Sequence, residues 1–422
     1  MAFAVAAPPR LRITSGSRAL PWSRPGYAVT GTPPSALSVP RPCRAAVRVT
    51  MASSPLPLPS PPAAPKSVVG ANPIFAQTML RIADPTRSAP FYTDILGMSL
   101  LTTLEFPDLK FSLYFYGYPP ADEEPAPPAS APQADRAAWL WARPYPTVEL
   151  THNWGTEDPA SGFGGYDNGN DAESGGRGYG HLGVIVDDPV ATVGAMEAAG
   201  VKVTRPASPF QDVGVLGFVA DPDGYLVEII RRERPATAAE GTSGGASPPS
   251  TGLVGPDPVL AQTMLRVRDP GASVAFYRRL GLTYLTSLSF DSFSLHFLGA
   301  PPAEPPVDAA GSDDRPTRAS WLWAFRTPTV ELTHNHGTET DPEFGGYHNG
   351  NSEPRGFGHL GFIVSDVGAA VEALRAAGHK VVREAGPFAD AGVIAFVADP
   401  DGYLVELIQR EGGEGEPYAK PI

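Results

Sequence analysis

Four polar side chains interrupt otherwise apolar, strand-like runs, and each occurs twice: Gln77 and Gln262, Glu149 and Glu331, His181 and His359, Glu228 and Glu406. A carboxylate on a half-buried strand is costly unless something neutralises it, and two carboxylates beside an imidazole most simply imply a cation. Any one of these residues alone is better read as a paired edge or surface group. All four in duplicate, with 47 residues from the His to the last Glu in both copies, point to two divalent metal sites of oxygen and nitrogen ligands. Such a set suits proton transfer between adjacent carbons. The metal, as a Lewis acid, holds the enediolate and contributes several kcal/mol. A carboxylate that loosens from the metal serves as general base, an effect worth about 10²–10⁴ in rate.

The elements that carry these residues are themselves repeated. Gln77-Thr-Met-Leu-Arg81 returns at 262–266, Thr147-Val-Glu-Leu-Thr-His-Asn153 at 329–335, Gly180-His-Leu-Gly183 at 358–361, and Ala220-Asp-Pro-Asp-Gly-Tyr-Leu-Val-Glu228 at 398–406. Self-similarity of this kind sets the architecture before any local reading does. Each copy divides again: an apolar strand leads into Asp84-Pro85 and a helix ending before Gly97, and the pattern recurs at Asp188-Pro189 to Gly200, Asp269-Pro270 to Gly281 and Asp366 to Gly378. Asp as N-cap, Pro at the first helical position and Gly past the end mark helix limits. Alternating runs such as Phe111 to Tyr116 and Tyr225 to Ile230 then supply strands. The expected fold is α+β, with four βαβββ modules in two tandem domains, residues 71–232 and 256–411. A Gly/Ser/Pro-rich linker spans 233–255, and a short tail spans 412–422. Pro-rich inserts at Tyr118–Asp135 and Gly299–Thr317 read as surface loops.

Those four motifs, and Arg-Gly-(Tyr/Phe)-Gly-His at 177–181 and 355–359, resemble glyoxalase I, the lactoylglutathione lyases of the vicinal oxygen chelate superfamily. The resemblance runs from Phe75 to Gln409, twice over, and implies glyoxalase-type domains. It implies that Gln77, Glu149, His181, Glu228, Gln262, Glu331, His359 and Glu406 are metal ligands. It implies too that Glu228 and Glu406 are the catalytic bases, with Glu149 and Glu331 as possible second bases. The implied reaction converts the hemithioacetal of methylglyoxal and glutathione to S-lactoylglutathione. Family homodimers take Gln and the first Glu from one subunit, His and the last Glu from the other. A fused chain that keeps this arrangement combines Gln77 and Glu149 with His359 and Glu406, and Gln262 and Glu331 with His181 and Glu228, in a monomer whose domains complete each other.

The resemblance further implies that Arg81, Asn153 and Arg177, with Arg266, Asn335 and Arg355, hold the ends of glutathione. Arginine suits carboxylates because its planar fork donates two parallel hydrogen bonds. Lysines that the family places before the Asp-Pro-Asp-Gly strand are missing: Gln211-Asp212-Val213 and Ala389-Asp390-Ala391 stand there, with Arg205 and Arg383 nearby. This departure leaves open whether another thiol replaces glutathione. Phe106, Phe111, Leu113, Phe115, Leu216 and Phe218, with Phe290, Phe293, Leu295, Phe297, Ile394 and Phe396, match the apolar aldehyde pocket. The long stretch from the first Glu to the His, 32 and 28 residues, resembles zinc-using members more than nickel-using ones. His152 and His334 point by strand period away from the ligands and suit structural hydrogen bonds. His296, His336, His348 and His379 lack a repeat partner.

Two rival readings remain in view. An extradiol-type dioxygenase needs a second His where this chain has Gln. A metal-free small-molecule binder of the same fold has no reason to keep four ligands twice.

Composition narrows the partners. No acidic residue precedes Asp84, whereas Arg10, Arg12, Arg18, Arg24, Arg41, Arg44 and Arg48 fall in the first fifty positions, as in a transit peptide to chloroplast or mitochondrion, the plastid slightly favoured. A start at Met51 gives a cytosolic form instead. Residues 51–70 read as a disordered Pro-rich segment. Past the leader, 45 acidic residues face 25 basic ones, which argues against nucleic acid or an anionic membrane as partner. The single cysteine, Cys43, lies in the leader, so neither thiolate ligand nor disulfide is expected in the folded part.

Overall fold

The computed structural model describes residues 69, 73–121, 123–171, 176–233, 252–300 and 315–410. The leader, the Pro-rich segment up to 68, most of the linker and the C-terminal tail lie outside these residues.

The first module runs β1 (Ile74–Ile82), α1 (Pro85–Pro90, extended by a π turn at Phe91–Ile95), β2 (Ser99–Phe106), β3 (Phe111–Gly117), α2 (Gln133–Trp141) and β4 (Thr147–Asn153). The second comprises β5 (Tyr179–Val186), α3 (Pro189–Ala198), β6 (Lys202–Pro209), β7 (Val215–Ala220) and β8 (Leu226–Arg231). The third repeats the first as β9 (Val259–Arg266), α4 (Pro270–Arg279), β10 (Thr283–Ser289), β11 (Phe293–Gly299), α5 (Arg315–Leu322) and β12 (Thr329–Asn335). The fourth repeats the second as β13 (Phe357–Val364), α6 (Val367–Ala376), β14 (Val381–Pro387), β15 (Val393–Ala398) and β16 (Leu404–Gln409).

The α+β fold and its four βαβββ modules are thus those the repeats predict. The caps explain why the helices start there: the side chains of Asp84, Asp188, Asp269 and Asp366 each accept a backbone N–H in the first turn. Gly97, Gly200, Gly281 and Gly378, all at positive φ, end them.

Three details differ from expectation. The inserts read as loops end in helices, α2 and α5, whose Leu140, Trp141, Ala319 and Leu322 are buried; the Pro-rich run before each conceals a short amphipathic turn. The linker's last residues are docked, because Leu253 N donates to Ile95 O and Val254 is buried. Val69, inside the stretch expected to be disordered, is also buried.

The modules pair across the chain. One eight-stranded sheet has the order β14-β15-β16-β13-β1-β4-β3-β2, joining the first and fourth modules. The other, β10-β11-β12-β9-β5-β8-β7-β6, joins the third and second. β1 meets β13, and β9 meets β5, antiparallel at the middle of each sheet. One face of both sheets shares a single core that includes Leu80, Leu182, Leu265 and Leu360, with Thr78 and Thr263 hydroxyls 2.5 Å apart where the sheets touch. Tyr179 and Phe357 stack across the same seam at 5.2 Å.

The Asp-Pro-Asp-Gly-Tyr loops fasten modules consecutive in the chain. Asp221 accepts from Tyr92 Oη at 3.0 Å, Asp223 accepts from Ala83 N and Ser88 Oγ, and Tyr225 Oη donates to Arg81 O. The same contacts recur between Asp399 and Tyr277, Asp401 and Arg268 N, and Tyr403 and Arg266 O. Burial, reinforced by the neighbouring aspartate, pushes the Asp221 and Asp399 carboxyls up to about 7. Sheets therefore join modules one to four and two to three, and straps join one to two and three to four. No helix among the described residues is long and apolar enough to cross a membrane.

Candidate metal centres

A register slip in β1 between Phe75 and Gln77, opposite β13, reverses the strand's alternation. Phe75 then faces the shared core, while Ala76 belongs to the apolar cluster on the opposite face. The same slip occurs between Leu260 and Gln262 opposite β5. On that opposite face Gln77 meets Glu149 from β4, His359 from β13 and Glu406 from β16. Gln77 Nε2 donates to Glu149 Oε2 at 2.6 Å and to Glu406 Oε2 at 2.9 Å, and lies 3.2 Å from His359 Nε2. His359 Nε2 is 3.0 Å from Glu406 Oε2 and 3.4 Å from Glu149 Oε2.

The second cluster repeats the first. Gln262 Nε2 donates to Glu331 Oε2 at 2.6 Å and to Glu228 Oε2 at 2.9 Å. His181 Nε2 is 3.1 Å from Glu228 Oε2 and 3.4 Å from Glu331 Oε2. All eight residues are at most 8% exposed. The structure thus brings together Gln77, Glu149, His359 and Glu406, and separately Gln262, Glu331, His181 and Glu228, so each group draws two residues from each sequence domain.

The motif glycines make this approach possible. A Cβ on Gly361 would lie 2.3 Å from Gln77 Cγ, and one on Gly183 the same distance from Gln262 Cγ. Gly358 and Gly180 likewise give way to Met79 and Met264. Gly-His-Leu-Gly is therefore a strand shaved on both sides of its histidine to admit the partner module's Gln and Met. Gly361→Ala is expected to cost about 1–3 kcal/mol through overpacking and to remove bound metal from the first cluster alone. Elemental analysis and melting of the variant check this, and full metal content in Gly361→Ala would refute it.

Electrostatics favour an added cation. Burial alone lowers the His359 imidazole, but Glu406 and Glu149 outweigh it and raise its pKa to about 9; His181 is raised to about 9 in the same way by Glu228 and Glu331. Burial pushes the Glu331 carboxyl up. The Gln77 and Gln262 Oε1 atoms are buried with no hydrogen-bond partner, an arrangement that costs free energy. Turning each amide about its last bond presents that oxygen to two carboxylates and an imidazole, which only a cation would hold together. In each cluster one atom each from the His and the two carboxylates lie within 4.8 Å of one another. The donor set, three oxygens and one nitrogen without sulfur, fits a divalent ion of the Zn, Ni, Co or Mn type.

The two glutamates of a cluster are held differently. Thr151 Oγ1 donates to Glu149 Oε1 at 3.2 Å and Thr333 Oγ1 to Glu331 Oε1 at 3.3 Å, pinning those carboxylates. Glu406 and Glu228 hydrogen-bond through Oε2, and their Oε1 atoms have no hydrogen bond among the described residues. A cavity of ≈ 180 Å³ opens on the second cluster, walled by Leu216, Phe218, Phe293, Leu295, Leu288 and Trp323. At the first cluster Phe106, Phe111, Phe115, Leu113, Ile394 and Phe396 form the corresponding apolar group. The apolar residues singled out in the sequence therefore sort by sheet rather than by domain.

The predicted cations cross over as well. Arg81 donates to the carbonyls of Gly350, Gly356 and Phe357 and to Asn351 Oδ1, all at or just before the start of β13, and burial lowers its pKa, as does nearby Arg355. Arg266 makes the same contacts with Gly169, Gly178, Tyr179 and Asn170, with Arg177 as its cationic neighbour. Arg81 thus neighbours Arg355 of the other repeat, and Arg266 neighbours Arg177. Asn153 donates to Tyr166 Oη and Asn335 to Tyr347 Oη, each at 2.9 Å. These tyrosines, in repeated Phe-Gly-Gly-Tyr runs, and the two pinning threonines are site residues that sequence reasoning missed. Their duplication was the signal that would have found them. His152 and His334 pair with Glu157 and Glu339, away from the clusters. His296 bonds Tyr284 and Ser294 in the interior.

With fold and clusters described, the chain belongs to the Glyoxalase/Bleomycin resistance protein/Dioxygenase superfamily, whose profile matches residues 74–229 and 259–407. Within it the chain falls in the glyoxalase I family. It is 34% identical to "Glyoxalase I" of Saccharomyces cerevisiae over 79% of this chain and 92% of that one. It is 27% identical to "Probable lactoylglutathione lyase, chloroplastic" of Arabidopsis thaliana over 76% of this chain and 69% of that one. The crystal structure of glyoxalase I from Zea mays superposes with a TM-score of 0.54 at 25% identity, covering 80% of this chain and 93% of that one.

Proposed function

We propose that the chain is a lactoylglutathione lyase with two sites, converting the hemithioacetal of methylglyoxal and glutathione to S-lactoylglutathione. The observation that carries this reading is the division of labour between carboxylates: in each cluster one Glu is pinned by a threonine, and the other keeps an oxygen free. Gln77, Glu149, His359 and Glu406 hold one divalent ion, and Gln262, Glu331, His181 and Glu228 the other; zinc is favoured and nickel is the alternative. When bound, that ion supplies Lewis-acid stabilisation of the oxygens of the substrate.

The protein's own groups do the rest. Glu406 Oε1 and Glu228 Oε1 take the proton from C1 of the adduct and return it to the neighbouring carbon, as general bases positioned by their second oxygen. Glu149 and Glu331 remain ligands and stand on the other side as second bases. The apolar wall shields the proton from water and accepts the aldehyde's side chain. Arg81, Asn153 and Arg355 orient the peptidic thiol at the first cluster, and Arg266, Asn335 and Arg177 at the second. A chain carrying both sites works as a monomer, and its Arg-rich leader and the chloroplastic relative favour a plastid destination.

The test is an ultraviolet assay for thioester formation from methylglyoxal and glutathione. Metal-stripped protein is expected to be inactive and to regain turnover with two ions per chain, zinc first. A stripped protein that turns over at the full rate, or a loaded one that makes no thioester, would sink the reading.

A further inference from the structure

The two sites carry the same cluster but different open sides. Arg205 on β6 and Arg383 on β14 stand at matching positions of their modules. The Arg383 guanidinium is engaged: Nη1 donates to Ile394 O at 2.5 Å and Nη2 to Pro387 O at 2.9 Å. Arg205 lies 4.7 Å over the Phe210 ring and makes no hydrogen bond or ion pair among the described residues. It lines the ≈ 180 Å³ cavity together with His181, Glu228 and Gln262.

The difference extends along the rim. Phe210 packs on Phe290 at 5.8 Å as Phe388 packs on Phe106 at 5.2 Å, but at the second site Arg315 also sits 4.9 Å over Phe290. The residue matching Arg315 in the first module is Gln133, whose Oε1 accepts from Glu105 N. Arg315 is itself engaged by Asp212 at 3.3 Å and by Ser289 O at 2.9 Å. Arg205 is therefore half-buried, with its guanidinium against an aromatic face and its N–H fork unbonded among the described residues, on a cavity whose walls beyond the ligand cluster are mostly apolar. Such a fork is matched by a planar two-oxygen acceptor. Among the described residues the matching Arg383 also lies over an aromatic ring, Phe388 at 5.8 Å, but its guanidinium is spent on backbone carbonyls.

We propose that Arg205 makes the second site a carboxylate-reading site, whereas the first binds adducts without regard to charge at this position. The proposal rests on both clusters binding S-substituted glutathione. The carboxylate comes either from the aldehyde's side chain or from the glycyl end of the thiol, and three unreactive thioethers separate the sources: S-benzylglutathione, S-(4-carboxybenzyl)glutathione and S-benzyl-γ-glutamylcysteine. Each is titrated calorimetrically into metal-loaded protein in which one site is disabled, by Glu149→Gln with Glu406→Gln or by Glu228→Gln with Glu331→Gln.

Arg205→Met, which keeps an unbranched apolar side chain against Phe210 but removes the guanidinium, is expected to lower the second site's preference for a carboxylate-bearing probe by about tenfold. Loss of preference for the carboxybenzyl compound assigns the aldehyde side, and loss of preference for S-benzylglutathione over the glycine-free analogue assigns the thiol side. Arg383→Met is expected to leave the first site's ratios unchanged. The proposal is overturned if Arg205→Met changes neither ratio, or if Arg383→Met changes the first site's ratios equally. Phenylpropionate against phenylpropanol needs neither thiol nor turnover. If the thioethers bind neither site, the lyase reading falls. A phenylpropionate preference abolished by Arg205→Met would then still support the role of Arg205, and its absence would overturn it.

Discussion

Glu228→Gln and Glu406→Gln together are expected to reduce thioester formation by about 10²–10⁴-fold or more, since each removes a general base and also alters a ligand. Either change alone should abolish one site and spare the other. The pairing of clusters makes a sharper expectation. Glu406 shares its cluster with Gln77, so Gln77→Ala with Glu406→Gln should lose no more metal than either alone, one ion of two. Gln77→Ala with Glu228→Gln strikes both clusters and should lose both ions. Elemental analysis beside the ultraviolet assay distinguishes these outcomes. Full loss in the first pair would mean that the clusters are not independent units.

Cutting the chain in the linker between 233 and 252 is the second large effect. Each half keeps its strap but loses the partner of its central strands, because β1 pairs with β13 and β5 with β9. Open strand edges associate with whatever edge is offered. A half at high dilution is expected to be inactive, since no cluster is complete within it. Its activity should rise with the square of concentration as copies pair β1 with β5, and equimolar mixing of the two halves should restore turnover. Sedimentation run alongside the assay gives the check. A monomeric half with full turnover would show that the seam between modules is dispensable for the chemistry.

Much of this arrangement was legible in the sequence because it is written twice. Repeated motifs revealed four modules, and Asp-Pro starts with Gly ends located the main helices, since capping chemistry is local. Gln77 and Gln262 were identified as ligand candidates from their type and duplication, although the slip that turns them to the ligand face is not visible in strand alternation. What stayed hidden depended on which strands meet. Nothing local says that Gly361 makes room for Gln77, that Thr151 fastens Glu149, or that Arg355 rather than Arg177 neighbours Arg81, because each contact joins segments far apart in the chain. Helices α2 and α5 escaped notice because the Pro-rich runs before them dominate the local composition. The different use of Arg205 and Arg383 is likewise invisible, since the two residues occupy identical places in the repeat.

The exchange of strands between repeats also constrains how this protein changes over generations. In most duplicated enzymes one copy is free to drift while its twin preserves the original activity. Here a point lesion disables one cluster and spares the other, but loss of a whole repeat removes half of both, so neither repeat is dispensable as a unit. The unit free to diverge is therefore a cluster with its rim rather than a repeat, and it is on the rim that the two sites of this chain differ.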